Sequence, residues 1–413
     1  MAAAVSRMDL SPCGVSADKG PAVRKLSVSA FRNYKNLRLE LSRKPIVLTG
    51  HNGAGKTNLI EALSFLSPGT GLRKARLSNI DMVVAKDQDQ LAEITQLKHR
   101  CWAVSVDLEL ENEKLVIGTG RDEKAAANGS DKRIVRINGQ QAKSHSVLLE
   151  YLTLSWITPQ MDRLFLDGLS QRRRFLDRLV YAFDPKHAGR VSAYTYAIRE
   201  RSRLIKSGNT DDAWYLALEN KIAETGVAIV AARRELVNRL GPIASLSLGP
   251  FPGAILKLVG DIECWLSQAA ALEVEDRYKN ELIEARKSSN REPLSIPGPH
   301  RTDLVVSHSI KNIPASQCST GEQKALLIAI ILSHARLRKI EFGHSPLLLL
   351  DEVTAHLDSQ RRDVLFDILE SLDSQVWMTG TEASLFTSLQ TRAQFFEISN
   401  GEVCKNETFK ISS

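Results

Sequence analysis

The chain has 413 residues, 43% hydrophobic, 25% charged and 6% aromatic, the proportions of a globular protein whose core is spread over two or three structural units. Its longest apolar run, residues 325–332, is less than half of the roughly 18 residues that a bilayer crossing needs, which excludes a transmembrane helix. The formal charge of +7 is unevenly placed: residues 341–413 carry five Lys/Arg against twelve Asp/Glu, leaving 50 against 36 on residues 1–340, and so basic a body invites a polyanion such as nucleic acid.

Residues 1–22 are rich in Ala, Ser and Gly, lack the apolar stretch of a secretory signal, and read as a disordered tail. The five cysteines are scattered without any CxxC spacing, so neither a disulfide framework nor a zinc site is expected, and a reducing cytoplasm fits. From residue 23 onward two alternating segments, 26–31 and 37–41, precede an apolar run at 45–50 that ends in glycine. Apolar residues at helical spacing follow over 56–66, so the order is strand, glycine loop, helix. Strand patterning returns over 93–139 and closes on Asn138-Gly139, a type I′ hairpin signal; the polar, Ala-rich residues 120–132 inside it read as a flexible loop.

Residues 162–240 and 261–290 are rich in Arg, Leu, Ala and Glu at helical spacing, with a proline-bearing interruption at 241–260 and a proline-rich closure at 293–299. Strands and helices then alternate to the C-terminus. The expected division is a tail (1–22), a first part of an α/β body with a β-rich wing (23–165), an inserted helical lobe (166–297) and the second part of the body (298–413). No sustained heptad array is visible, so no long coiled coil is expected.

Gly50, His51, Asn52, Gly53, Ala54, Gly55, Lys56 and Thr57 fit the GxxxxGK[ST] phosphate loop and lie between a strand and a helix as that loop demands. Small residues let backbone N–H groups wrap phosphates at a helix N-terminus. Lys56 would reach the β- and γ-phosphates of ATP, and Thr57 would bind Mg²⁺. Residues 346–350, Pro-Leu-Leu-Leu-Leu, form an apolar strand ending in Asp351 and Glu352. Beside a phosphate loop, Asp351 is the expected carboxylate toward Mg²⁺ and Glu352 the general base that activates water, which points to hydrolysis.

Ser319-Thr-Gly321-Glu-Gln-Lys324 precedes the most apolar helix, and Ser319 with Glu322, or Thr320 with Gln323, makes a capping box there. The same segment, about 30 residues before Asp351, resembles the signature motif of ABC-type ATPases, in which Ser319 and Gly321 of one subunit would cap the γ-phosphate held by another. About 264 residues separate loop and signature, which suggests an insertion as in the DNA-repair and chromosome-maintenance branch. Three further segments narrow the resemblance to the RecF family: Leu26-Ser-Val-Ser-Ala-Phe-Arg-Asn-Tyr34, Leu169-Ser-Gln-Arg-Arg-Arg-Phe-Leu-Asp177 and Gly298-Pro-His-Arg-Thr-Asp-Leu304. The resemblance covers about residues 23–402.

It implies an α/β fold, an ABC-type P-loop ATPase head with a β-rich wing and an inserted α-helical lobe. It also implies ATP and Mg²⁺ as cofactors and an ATP-dependent homodimer on duplex, gapped or junction DNA in the bacterial cytoplasm. RecR would be the direct partner, with RecO and RecA downstream. By the same resemblance Arg32 and Asn33 lie near the nucleotide, Asp358 belongs to the loop that crosses the dimer interface, and Gln160 is the lobe-joining glutamine. The usual switch histidine is missing; Thr379 or Thr381 stands in its place, so slow turnover is expected. The arginine run Arg172, Arg173 and Arg174 would divide between carboxylates of the other lobe and DNA, and Arg199, Arg201, Arg203 and Lys206 form either a phosphate-facing edge or a solvated face. Two rivals share parts of this pattern: an SMC-like chromosome-maintenance head, which would need a long coiled coil, and an ABC transporter ATPase subunit, which would need a membrane partner.

Overall fold

The computed structural model describes residues 20–82, 101–111, 113–208, 211–287, 296–355 and 357–405. The tail up to residue 19, the start of the 93–139 strand run, residues 293–295 of the proline-rich closure and His356 lie outside the described residues.

Two six-stranded sheets form the body. The first is antiparallel, in the order β2-β1-β4-β5-β6-β7, and is built from β1 (Ala22–Phe31), β2 (Tyr34–Glu40), β4 (Ala103–Glu109), β5 (Lys114–Arg121), β6 (Arg133–Ile137) and β7 (Gln140–Gln141). The second runs β14-β13-β3-β12-β11-β8, with β3 (Ile46–Thr49), β8 (Leu154–Ile157), β11 (Leu347–Leu350), β12 (Val376–Gly380) and β13 (Gln394–Ser399) parallel and β14 (Glu402–Lys405) antiparallel at its edge.

The parallel sheet is buried on both faces, which explains why its strands read as unbroken apolar runs. Leu347 and Leu349 join the core shared with the antiparallel sheet and α1 (Lys56–Ser64), whereas Leu348 and Leu350 face the opposite core. Asn138 and Gly139 both take positive φ between β6 and β7, the type I′ geometry that the dipeptide predicts. Residues 120–132 are not a featureless loop: α2 (Glu123–Ala127) forms there because the Asp122 carboxylate accepts from the amides of Lys124 and Ala125.

The helical part comprises α3 (Leu169–Tyr181), α4 (His187–Lys206), α5 (Asp212–Ala244), α6 (Asp261–Trp265) and α7 (Ala271–Lys287); α4, the first half of α5, α6 and α7 share a core of their own, whereas α3 and the end of α5 pack into the core of the body. Three features depart from the sequence reading. Helix α5 continues past Gly241 and carries Pro242 in its last turn, just before its end at Ala244. Residues 254–259 are β9 (Ala254–Val259), paired along its length with β10 (Asp303–His308), a partner found only 44 to 54 residues further along the chain. Arg201 belongs to no surface edge: it is buried, with Nε 3.0 Å from Glu219 and Nη2 donating to the Leu282 carbonyl at 2.6 Å. After β10 the chain enters α8 (Thr320–Phe342), apolar all round because it runs through the interior, and α9 (Ser359–Ser371) follows β11.

Candidate active site

The glycine loop leaves β3 at Gly50, whose φ is +143° and where a Cβ would sit 2.2 Å from the Ile398 carbonyl oxygen of β13. Only glycine fits so close an approach. At its far end Gly55 has φ +117°, and a Cβ there would meet the Asn33 amide at 2.5 Å. Asn33 and Tyr34 come from the β1–β2 turn and brace the loop: Asn33 Nδ2 donates to the Ala54 carbonyl at 3.1 Å, and the Tyr34 hydroxyl donates to the Gly55 carbonyl at 3.0 Å. Asn58 Nδ2 closes this set on Asn33 Oδ1 at 2.7 Å. Arg32, on the same turn, is committed elsewhere, to the buried Glu61 carboxylate of α1 through Nε at 3.0 Å and Nη2 at 2.7 Å.

Lys56 folds back over its own loop, donating from Nζ to the Gly50 carbonyl at 2.6 Å and the His51 carbonyl at 2.9 Å. Burial lowers its pKa, and the nearby Glu352 and Asp351 carboxylates partly restore it. One residue on, Thr57 Oγ1 donates to Asp351 Oδ1 at 2.9 Å, which ties the start of α1 to the end of β11. Thr379 Oγ1, from β12, donates to the same oxygen at 2.8 Å and accepts the Glu352 amide at 2.8 Å. The Asp351 amide donates to the Ile157 carbonyl of β8 at 2.9 Å, so neighbouring strands on both sides fix this carboxylate. Burial raises the Asp351 pKa, Glu352 adds to that, and the two threonine hydroxyls oppose it. Glu352 sits at φ +50°, an unfavourable backbone state for a residue with a side chain, held by Thr379 at its amide and Lys324 at its carbonyl.

Lys324 is a connecting residue that motif reading left without a role. Its Nζ, inside α8, donates to the carbonyls of Glu352 at 3.2 Å and Ala355 at 2.7 Å, and lies 4.0 Å from Asp162 of the one-turn helix Pro159–Arg163. Gln160 is exposed on that one-turn helix, directly after β8. Ser319 caps α8 in a capping box with Glu322, and a Cβ on Gly321 would meet nothing within 4 Å. Asp358 caps α9 by accepting the Arg361 amide at 2.7 Å. The loop residues, Asn33, Thr57, Asp351 and Glu352 are thus brought together. Gln160, Ser319, Gly321 and Asp358 share no hydrogen bond with the loop among the described residues.

The other two family-like segments meet each other. Asp177 on α3 is gripped through both oxygens by Arg233 of α5, at 2.8 Å each, and Oδ1 also lies 2.8 Å from His187 Nε2 of α4. The remaining Arg233 nitrogen donates to the Pro299 carbonyl at 2.7 Å. Arg172 clasps Asp303 at 2.6 and 3.1 Å, and Arg173 donates to the Thr302 carbonyl at 3.2 Å. Those bonds commit the Asp177 and Asp303 carboxylates to arginines and tie α3 to α4, α5 and β10.

Among the described residues no group of three or more His, Cys, Asp or Glu side chains is placed to hold a metal, and no helix is long and apolar enough to cross a membrane. The chain matches the family described as RecF/RecN/SMC N terminal domain over residues 22–403. It is 46% identical to the DNA replication and repair protein RecF of Mesorhizobium japonicum over 93% of this chain and 98% of that protein, and 44% identical to RecF of Brucella suis over 92% and 96%. In fold it is similar to the recombination mediator protein RecF-ATPrS of the RecFOR pathway, with a TM-score of 0.77, 21% identity and coverage of 94% of this chain and 99% of that one. It also resembles a Pyrococcus furiosus Smc head domain, at a TM-score of 0.52, 16% identity, and 94% and 97% coverage.

Proposed function

The chain belongs to the RecF family, and on that premise we propose that it is an ATP-switched DNA-binding protein of replication and recombinational repair. The observation that carries the nucleotide part is the single carboxylate oxygen of Asp351 bonded at once to Thr57 of the phosphate loop and to Thr379 of β12. That arrangement joins a phosphate cradle to the acids needed for hydrolysis. ATP would lie along the loop amides at the start of α1, with Lys56 exchanging the Gly50 and His51 carbonyls for the β- and γ-phosphates. A hydroxyl and a carboxylate 2.9 Å apart are hard oxygen donors that suit Mg²⁺, and two protein positions match an ion that takes its other ligands from phosphates and water. Thr57 and Asp351 would hold the ion, which supplies charge neutralisation at the phosphates.

Glu352, aimed by its constrained backbone, orients and deprotonates the attacking water. Thr379 stands where a histidine would face the γ-phosphate, and turnover is accordingly slow. Ser319, Gly321 and Asp358 have no bond to their own loop, which supports a role on nucleotide held by a second copy, so that ATP closes a homodimer. Gln160 would couple the two lobes of the head. The basic body favours sequence-independent contact with duplex, gapped or junction DNA, weakened strongly by salt. RecR would recognise the closed clamp, with RecO and RecA acting after it, and hydrolysis would reopen the dimer and release DNA.

The test is light-scattering mass of the full chain with ATP and Mg²⁺, using Glu352→Gln to suppress turnover. Its mass should double with nucleotide and the doubled species should retain a gapped duplex, whereas Lys56→Ala should stay a single copy at every ATP concentration. A Glu352→Gln protein that binds ATP yet remains monomeric, and is indifferent to DNA, would sink the clamp reading.

A further inference from the structure

A second cationic recess lies away from the phosphate loop, at the place where α3 packs over β8. It is a cavity of about 290 Å³ whose lining includes Trp156, Arg178, Arg174 and Lys74. Arg178 stands over the Trp156 ring, 4.0 Å from its centroid, and donates from Nη2 to the Trp156 carbonyl at 3.1 Å. Its Nε is sealed from solvent and has no hydrogen-bond partner. Among the described residues no ion pair to a carboxylate is formed by this guanidinium; burial pushes its pKa down to about 9, and the Tyr181 phenol draws it back. Buried charges are ordinarily paired, and an arginine left this way is a cation awaiting an anion.

The rim adds two more cations. Arg174 is exposed one turn before Arg178 on α3, and Lys74 reaches across to donate to Gln171 Oε1 at 2.6 Å. The charges of Arg174 and Arg178 reinforce burial in lowering the Lys74 pKa, so the three cations share one field, opposed at Lys74 by Asp167 alone. The backbone at Lys74 sits at φ +56°, a conformation unfavourable to a residue with a side chain, and Lys74 lines the cavity. Asp177, the one carboxylate in the lining, is already saturated by Arg233 and His187.

We propose that this cavity is a second phosphate-binding site: Arg178 at its floor and Lys74 and Arg174 at its rim take a tetrahedral oxyanion, either free phosphate or a phosphate of a nucleic-acid backbone. The cavity shares Pro68, Gly69 and Thr70 with a larger basic groove that also carries Arg76, Lys132 and Lys143, so a strand lying in that groove passes the cavity mouth. The site does not depend on the phosphate loop or on the nucleotide reading.

Because the Arg178 guanidinium also packs on the Trp156 and Phe175 rings, the test rests on the two exposed rim residues. The full chain, with a non-hydrolysable ATP analogue and Mg²⁺ occupying the phosphate loop, is melted in increasing inorganic phosphate at constant ionic strength and compared with a Lys74→Met/Arg174→Gln double variant. Free phosphate as occupant gives a saturable rise of about 2–5 °C in the wild type and none in the variant. In a second arm, anisotropy of a fluorescent duplex is followed across a salt series; a backbone phosphate as occupant lowers the log–log salt slope of the variant by about 1, the value for one phosphate, and weakens its binding at low salt by about tenfold. A difference in either arm supports the site and identifies its source. Equal melting responses together with equal salt slopes would overturn it, since any effect of phosphate at the nucleotide loop is common to both proteins.

Discussion

The phosphate loop and the junction of α3, α4 and α5 are both dense in polar bonds, but they hold their charges in opposite ways. At the loop, Lys56 rests on two carbonyls and Asp351 on two neutral hydroxyls, partners weaker than a phosphate or a divalent cation and easily exchanged for one. At the junction, Asp177 and Arg233 meet as full charges in a two-pronged pair, and the third nitrogen of Arg233 donates to the Pro299 carbonyl. The first arrangement keeps valence in reserve for a ligand. The second spends it on joining the helices, and conspicuous motifs that contain Asp177 and Pro299 are therefore structural despite their charge.

The largest effect should come from breaking the junction. Arg233→Met strands the Asp177 carboxylate in the interior with His187 as its remaining side-chain hydrogen-bond partner among the described residues, and breaking a buried pair by removing one partner costs about 3–5 kcal/mol. Burial works to raise the Asp177 pKa, yet Arg233 and His187 overcome it and hold the group at about 2, a measure of how firmly the pair is set. Chemical denaturation should record that loss, while the protein that remains folded should bind ATP with unaltered affinity. Unchanged stability would mean that the junction carries no more of the fold than the loop does.

The same contrast governs what the sequence makes legible. The phosphate loop, its helix, Asp351, Glu352 and the Ser319–Glu322 cap are spaced by fixed local geometry, so spacing alone locates them. The pairs of Asp177 with Arg233 and Arg172 with Asp303 link residues 56 and 131 apart, and no local period encodes that choice. Strand β9 escaped for the same reason: its pairing partner β10 lies beyond two intervening helices. Thr379 and Lys324 were visible as letters within known segments, but their roles depend on β12 and α8 lying against the end of β11.

Acid should separate the two regions next. His334 is buried in α8, its Nε2 2.9 Å from the Leu179 carbonyl of α3 and its Nδ1 3.4 Å from the Ser155 hydroxyl of β8. Burial above all lowers its pKa to about 4. The unfolded chain takes up this proton near 6.5 and the folded one only near 4, so the contribution is complete above pH 6.5 and is lost as pH falls toward 4, by about 3 kcal/mol in all. Denaturation midpoints measured between pH 7.5 and 4.5 should fall for the wild type and fall less for His334→Gln. Parallel curves would show that the acid sensitivity lies elsewhere.

The smallest and most discriminating change is Thr379→Val, which keeps the shape of a fully buried side chain and removes one hydroxyl. That hydroxyl both donates to Asp351 and receives the amide of Glu352, so its loss loosens the two acids together without touching the phosphate loop. A hydrogen bond to a charged group contributes about 1.5–3 kcal/mol, so hydrolysis should slow by about tenfold or more while nucleotide binding and the doubling of mass persist. The Thr379 bond also opposes the upward shift of the Asp351 pKa, and without it the acidic limb of the rate profile should move to higher pH; Thr379→Ser should restore both. A Thr379→Val protein that hydrolyses ATP at the wild-type rate with an unmoved acidic limb would mean that the backbone of β11 alone positions Asp351 and Glu352, and that the bond from β12 is as purely structural as the bonds of the junction.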